Sequence, residues 1–189
     1  MSPQALNTTL WAVWFAYWVL MGLKVKRDAQ KEPVVGRLAY LSLLLLGFSL
    51  LFSSLLADSA LGQPLPLPPG PATGVLGDVL TALGLGYACW ARVHLGAYWS
   101  GRITIKEGHR LIRTGPYRWT RHPIYSGLLL AALGSAVTLW QWRGLVGLAL
   151  ITAAMLTKLR REESVLVRQF GEEYERYRRE VKALVPFVH

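Results

Sequence analysis

Apolar residues fall into four long blocks and a shorter fifth, separated by polar and proline-rich segments. The long blocks cover residues 6–23, 38–57, 74–95 and 124–140, and each approaches the roughly 20 residues that a helix needs to cross a bilayer. Residues 144–157 follow a tight break at residues 141–144 and are interpreted as the return arm of a helical hairpin. The pattern therefore predicts an all-α membrane protein with five transmembrane helices. We expect one domain over the whole chain, with three spans in residues 1–95 and a loop, the hairpin and a C-terminal helix in residues 96–189.

The composition agrees with a membrane protein, because 52% of the 189 residues are hydrophobic and only 17% are charged. The chain lacks a basic start followed by a small-residue cleavage site, so we expect the first apolar block to remain as a membrane helix. Cys89 is the only cysteine, which excludes an internal disulfide and a cysteine-based metal site. His94 and His109 lack the paired spacing of metal ligands, so no metal site is predicted.

Positive charge is concentrated in three segments, and the formal net charge is +10. Of the 21 lysines and arginines, five lie in residues 24–37, six in 102–121 and eight in 158–182. Basic loops stay on the cytoplasmic side of a membrane. We therefore expect an N-terminus outside, a cytoplasmic C-terminus and residence in a prokaryotic cytoplasmic membrane. Attraction to anionic membrane lipids explains the basic excess, so nucleic acid is not expected as a partner.

Residues 115–127 place two arginines, a histidine and two tyrosines immediately before the apolar run of residues 128–139. Pro123 suits the first position of a helix, which makes His122 the cap residue. The N-terminus of a helix in low dielectric can bind an anion through its free N–H groups, here expected from Tyr125 and Ser126. A simpler alternative is that the arginines reach lipid phosphates and His122 only caps the helix.

The C-terminal segment is predicted to be a helix that continues the fifth span and is interrupted at Gly171. Glu162 and Glu163 are adjacent at its inner end and must point in different directions. One carboxylate is expected to pair with Lys158 or Arg161 and the other to meet a ligand cation. A simpler alternative is that both belong to a solvated charged face where the helix leaves the membrane. Lys158 lies one turn before Glu162, on the same helix face.

Two blocks of residues carry a family resemblance. The first is Gly115-Pro116-Tyr117 with Arg121-His122-Pro123-x-Tyr125-x-Gly127, preceded by residues 106–112; the second is Glu162-Glu163-x-x-Leu166-x-x-x-Phe170-Gly171-x-x-Tyr174-x-x-Tyr177. In this order they resemble the isoprenylcysteine carboxyl methyltransferase family and its phospholipid methyltransferase relatives. The resemblance implies a membrane-embedded methyltransferase that uses S-adenosylmethionine. No glycine-rich fingerprint of the soluble Rossmann type is present.

The resemblance also implies a set of site residues. Those expected to line the cofactor pocket are His109, Arg110, Leu111, Ile112, Tyr117, His122, Pro123, Ile124, Tyr125 and Glu162. Lys158, Glu163 and Arg121 are assigned to the transfer step. Lys158 stands where the eukaryotic enzymes carry an arginine that contacts the acceptor, so the charge is kept but the two-pronged fork is lost.

The expected acceptor is lipophilic, enters from the bilayer and presents a carboxylate of the isoprenylcysteine type. A carboxylate needs only a cation to hold it, whereas an amine acceptor would need Glu163 or His122 as a base. Three alternatives stay open. They are a phospholipid amine N-methyltransferase, a sterol-type membrane reductase that binds the NADPH 2′-phosphate through Arg118, Arg121 and Lys158, and a non-catalytic membrane partner protein.

Overall fold

The computed structural model describes residues 2–22, 34–54, 56–96, 99 and 111–185. Within these residues the chain forms α-helices and short 3₁₀ turns but no β-strand. The helices are α1 (Pro3–Gly22), α2 (Val34–Phe52), α3 (Thr73–Leu95), α4 (Pro123–Leu139), α5 (Trp142–Phe170) and α6 (Glu172–Glu180). The all-α prediction is therefore confirmed for the described part of the chain.

Helix boundaries follow the apolar blocks closely, with two corrections. α2 ends at Phe52, five residues before the end of its apolar block. The hairpin break is also earlier than expected, because Trp140 adopts the left-handed conformation (φ 52°) and α5 already begins at Trp142. The predicted continuity of the fifth span with the tail is confirmed, and α5 stops where Gly171 takes a positive φ of 51°.

α3 and α4 pack backbone to backbone through small residues. A Cβ atom at Gly84 would lie 2.5 Å from the carbonyl oxygen of Gly127, and one at Gly127 would lie 2.5 Å from the carbonyl oxygen of Gly84. Ala88 and Ala131, one turn away on either helix, are fully buried in the same interface. Small residues are the usual means by which membrane helices approach this closely.

α2 and α5 are also held in close, antiparallel contact. Cβ atoms at Gly47 and Gly147 would each lie within 2.9 Å of the carbonyl oxygen of the other residue. At the end of α2, the buried Arg143 guanidinium donates hydrogen bonds to the carbonyl oxygens of Leu50 and Ser53. Leu50 lies in the last turn of α2 and Ser53 directly follows the helix, so Arg143 acts as a cap at the C-terminal end of α2. Around the bundle, α1 packs on α3, α3 on α4, α4 on α5 and α5 on α2.

A buried polar cluster joins α1 to the α3–α4 pair. The Asn7 amide donates to Asp78 Oδ1 at 3.1 Å and to Thr81 Oγ1 at 2.9 Å. The Ser135 hydroxyl donates to Asn7 Oδ1 at 2.9 Å, and the Thr138 hydroxyl donates to Asp78 Oδ1 at 3.2 Å. Paired in this way, polar groups avoid most of the cost of burial.

The opposite end of α1 is held by Arg92, whose side chain is 1% exposed. Its guanidinium donates to the carbonyl oxygens of Met21 at 2.8 Å and Gly96 at 2.9 Å. It also lies 4.1 Å from the ring centre of Trp99. Arg92 thereby joins the C-terminal ends of α1 and α3, at the other end of these helices from the polar cluster.

Two helices of the described residues, α3 and α5, meet both the length and the mean hydropathy expected of a membrane span. Arg37–Phe52 of α2 and Pro123–Leu139 are shorter apolar helices. The five-span count thus stays a prediction.

Candidate functional site

The site forms where α5 passes the start of α4. α5 is 29 residues long and α4 only 17, so the polar end of α5 extends beyond the first residue of α4. Roughly 20 residues of helix cross a bilayer, and from Trp142 that length ends near Arg161. Glu162 and Glu163 therefore follow the part of α5 that is long enough to span a bilayer, and they lie level with the turn that precedes Pro123.

The Glu163 carboxylate is the meeting point of three segments. Its Oε1 atom accepts hydrogen bonds from Arg121 Nε at 2.8 Å and Nη2 at 2.6 Å. His122 Nε2 lies 3.2 Å from the same oxygen, and the Tyr174 hydroxyl donates to it at 3.4 Å. Arg178 Nε lies 3.7 Å from Oε2. Glu163 thus links the residues before α4 to α5 and α6.

These partners fix the ionisation state of Glu163. Burial alone would raise the pKa of the carboxyl group, but the hydrogen bonds and positive charges of His122 and Arg121 lower the pKa overall to about 2. Glu163 is therefore the carboxylate paired with protein cations. The sequence predicted that one of the two glutamates would pair with Lys158 or Arg161, without saying which glutamate. The cations hydrogen-bonded to Glu163 are Arg121 and His122.

Glu162 faces a different environment. Its Oε2 atom accepts a 2.5 Å hydrogen bond from the Tyr125 hydroxyl, and the Tyr125 ring stacks parallel to the His122 ring with centroids 5.5 Å apart. One turn earlier on α5, Lys158 Nζ lies 5.4 Å from the ring centre of Tyr125 and 5.8 Å from that of Tyr40. A carboxylate, an ammonium group and three rings are thereby brought together near the first turns of α2 and α4 and the polar part of α5.

Tyr117 is positioned by a 3₁₀ turn, Gly115–Arg118, that packs on the end of α3. Gly115 has a positive φ of 58°, and the ring of His94 occupies the space that a side chain there would need. The Tyr177 hydroxyl donates to the Tyr117 carbonyl oxygen at 2.5 Å. Burial and the nearby Glu162 carboxylate raise the pKa of the Tyr117 phenol, so it stays protonated.

Residues 181–185, here called the C-terminal strap, run alongside the start of α4. The Arg121 N–H donates to the Lys182 carbonyl at 2.8 Å, and the His122 N–H donates to the Ala183 carbonyl at 3.0 Å. Ser126 donates through its hydroxyl to Leu184 at 2.6 Å and through its backbone N–H to the His122 carbonyl at 3.0 Å. The expectation of a free Ser126 N–H was therefore wrong, because this group makes the first hydrogen bond of the helix.

The structure brings most of the predicted site residues together. The residues grouped at the start of α4 and the end of the apolar part of α5 are Tyr117, Arg121, His122, Pro123, Ile124, Tyr125, Lys158, Glu162 and Glu163. Leu111 and Ile112 are half-buried, and Ile112 packs against the core. His109 and Arg110 lie outside the described residues. Tyr40 was missed, and the only sequence signal for it is a tyrosine inside an apolar block.

Comparison with known proteins points to one family. The family model described as isoprenylcysteine carboxyl methyltransferase (ICMT) matches residues 79–168. The protein named "Probable protein-S-isoprenylcysteine O-methyltransferase" of Oryza sativa subsp. indica is 39% identical over 88 residues, 46% of either chain. The protein-S-isoprenylcysteine O-methyltransferase of Saccharomyces cerevisiae is 33% identical over 118 residues, 60% of this chain and 49% of the yeast protein. This chain thus spans about half the length of the curated relatives it matches.

A solved structure shares the fold. The eukaryotic intramembrane Ras methyltransferase ICMT, solved without a monobody, superposes with a TM-score of 0.54 over 82% of this chain and 52% of that chain, at 21% identity. The region matched by the family model begins in α3 and includes Tyr125, Lys158, Glu162 and Glu163. The resemblance carried by the two motif blocks is therefore confirmed: over residues 79–168 this chain is similar to the isoprenylcysteine carboxyl methyltransferase family, and it shares the fold of a membrane protein that bears the same name.

Proposed function

We propose that this chain transfers a methyl group from S-adenosylmethionine to a lipophilic carboxylate, of the isoprenylcysteine type, at the cytoplasmic face of a membrane. The observation that carries the proposal is the difference between two adjacent glutamates. Glu163 is held by Arg121 and His122, whereas Glu162 meets the Tyr125 hydroxyl beside Lys158. Protein cations thus engage one carboxylate, which supports a role for the other as the partner of a cationic ligand.

The residues present suit S-adenosylmethionine, which combines an ammonium group, a sulfonium, a carboxylate and an aromatic base. When bound, it supplies an electrophilic methyl group on a positively charged sulfur. Glu162 offers an anionic oxygen to a ligand cation, and the rings of Tyr117, His122 and Tyr125 offer aromatic faces. By family resemblance, His109 to Ile112 complete the pocket.

The environment of Glu163 favours a carboxylate acceptor over an amine. Its pKa of about 2 makes it a weak base at neutral pH, and hydrogen bonds from Arg121 and His122 already engage it. A carboxylate acceptor needs no base, only a cation such as Lys158 to orient it. The names of the relatives, which describe O-methylation of isoprenylcysteine, support the same choice.

Exclusion of water supports the same chemistry. Attack of an anion on a sulfonium neutralises charge, so a poorly hydrated site favours it. The C-terminal strap runs along the polar turn before α4, and His122 and Tyr125 are almost fully buried there. A lipophilic acceptor would reach Lys158 from the bilayer, with its carboxylate at the level where α5 leaves the membrane.

Calorimetry on the pure protein in detergent tests the cofactor. S-adenosylhomocysteine and NADPH are titrated side by side, and we expect binding of the first only. Glu162→Ala should weaken binding about tenfold, the size of one lost charge-assisted contact, and more than Glu163→Ala. Glu172→Ala, an exposed acid on α6, serves as the control and should bind as the wild type does. Equal affinities of the Glu162 and Glu163 variants would contradict the assignment, and selective binding of NADPH would favour a reductase.

Transfer of labelled methyl to N-acetyl-S-farnesylcysteine tests the acceptor. The product should release methanol in mild base, as a methyl ester does and an N-methyl amine does not. Lys158→Met should raise the acceptor KM with the cofactor affinity unchanged. Arg160→Met, which removes an exposed cation two residues along α5, should change neither. A base-stable product formed from membrane lipids would point to an amine acceptor instead.

A further inference from the structure

Tyr40 of α2 contributes a ring to the site from outside the segment that carries the family match. The family match begins at residue 79, and the two motif blocks lie further along the chain. Tyr40 is 1% exposed, and its ring centre lies 5.8 Å from Lys158 Nζ. The centre of the Tyr125 ring lies 5.4 Å from the same ammonium group. Lys158 therefore contacts rings from two different helices.

The backbone contact between α2 and α5 fixes the position of this ring. Gly47 and Gly147 bring the two helices together, and Arg143 caps the end of α2. Tyr40 precedes Gly47 by roughly two turns, and Lys158 follows Gly147 by roughly three. Because the helices are antiparallel, both side chains lie at the same end of the bundle. The ring position thus depends on rigid helix packing and not on a loop.

A lysine needs such help more than an arginine would. Its ammonium group is a point charge on a flexible four-carbon stem and has no fork with which to orient a carboxylate. Aromatic faces attract an ammonium group and limit the positions it can take. From these contacts we infer that Tyr40 is a positioning residue, which holds the Lys158 ammonium where the acceptor carboxylate is bound. The inference rests on the proposed function and deepens it.

Acceptor kinetics at saturating S-adenosylmethionine test this role with N-acetyl-S-farnesylcysteine as the probe. Tyr40→Leu removes the ring and should raise the acceptor KM about tenfold, within the range of a desolvated cation–π contact. Tyr40→Phe keeps the ring and should stay near the wild-type KM. Phe48→Leu, which removes a ring two turns further along α2 that contacts Trp11, is the matched control and should leave the acceptor KM unchanged.

A double-mutant comparison separates positioning from general damage. If Tyr40 acts through Lys158, adding Tyr40→Leu to Lys158→Met should raise the acceptor KM no further. Additive effects, or an unchanged KM in Tyr40→Leu, would overturn the inference. So would a loss of S-adenosylhomocysteine affinity in Tyr40→Leu that matches the change in KM.

A measurement that needs no acceptor tests the position of Lys158 independently of the proposed function. Brief treatment with acetic anhydride, followed by mass spectrometry, measures the reactivity of Lys158 relative to Lys182 in the same molecule. Tyr40→Leu should increase acetylation of Lys158 several-fold, and Tyr40→Phe should not. Wild-type protein that binds no cofactor would contradict the proposed function alone, whereas unchanged acetylation in Tyr40→Leu would contradict the placement of Lys158 by Tyr40.

Discussion

The Glu163 carboxylate pairs with Arg121, His122 and Arg178. Its loss should therefore lower the stability of the protein. The side chains of Glu163 and Arg121 are 12% and 9% exposed. Removal of one partner leaves the other buried without its counter-charge, which costs on the order of 3–5 kcal/mol in comparable pairs. We expect Glu163→Gln to lower the apparent Tm in detergent by several degrees at neutral pH. Scanning fluorimetry on tryptophan emission measures it.

The same residue gives this effect a defined pH dependence. The pKa of folded Glu163, about 2, lies below the ordinary value of 4.5. Its contribution is therefore fully present above about pH 4.5 and is lost as the pH falls toward 2. The Tm difference between wild type and Glu163→Gln should shrink over that window. Glu175→Gln, which breaks an exposed pair with Arg178, should change the Tm little at any pH, and an equally large effect there would argue against the role given to Glu163.

At the scale of single residues, the sequence could name the charged groups but not their partners. Adjacent glutamates at the end of an apolar block identify a special position. Which of the two meets Arg121 depends on how α5 is rotated against α4, and 42 residues separate that pair. The same holds for Tyr40 and Lys158, since no local period relates a ring in α2 to a cation in α5. Such contacts are set by tertiary packing alone.

At the scale of helices, two glycines of α3 offer a matched pair for testing the interface with α4. A Cβ atom at Gly84 would meet backbone atoms of Gly127 and Ala131, whereas nothing lies within 4 Å of the same position at Gly86. Gly84→Ala should force the helices apart and destabilise the protein by about 1–3 kcal/mol. Gly86→Ala should be neutral or slightly stabilising, since alanine favours a helix. Thermal unfolding in one detergent compares them, and similar Tm values would show that α3 and α4 do not pack this closely.

Apolar blocks predicted helices well because a helix interior in a membrane needs little besides length and apolar side chains. The ends of the helices were harder to predict from the sequence. α2 stops at Phe52 although its block continues, and Arg143 caps it from α5. The contact of the C-terminal strap with the turn before α4 was equally hard to predict. It is made by backbone hydrogen bonds, and these use main-chain atoms that every residue has.

For the whole molecule, the resemblance to the family follows from the order of the motif blocks, and the helical hairpin follows from the break between the last two apolar blocks. The arrangement across the membrane rests instead on the charge pattern. The cytoplasmic side is proposed to hold Lys158, Arg121 and α6, and the opposite side the α4–α5 turn with Arg143. Helices α1 and α2, of 20 and 19 residues, reach about 30 Å, the thickness of the bilayer core. An odd number of spans then places the two chain ends on opposite sides.

Cysteine accessibility in intact cells tests this arrangement. In a Cys89→Ser background, Ser2→Cys reports the N-terminus, Glu173→Cys reports α6, and Gln63→Cys reports the proline-rich loop before α3; all three positions are exposed. A membrane-impermeant maleimide should label positions 2 and 63 from outside and position 173 only after permeabilisation, because basic segments stay on the cytoplasmic side. Labelling of positions 2 and 173 from the same side would rule out five spans. Labelling of position 173 alone from outside would invert the topology and move the proposed site to the outer face, where no cytosolic pool of S-adenosylmethionine could reach it.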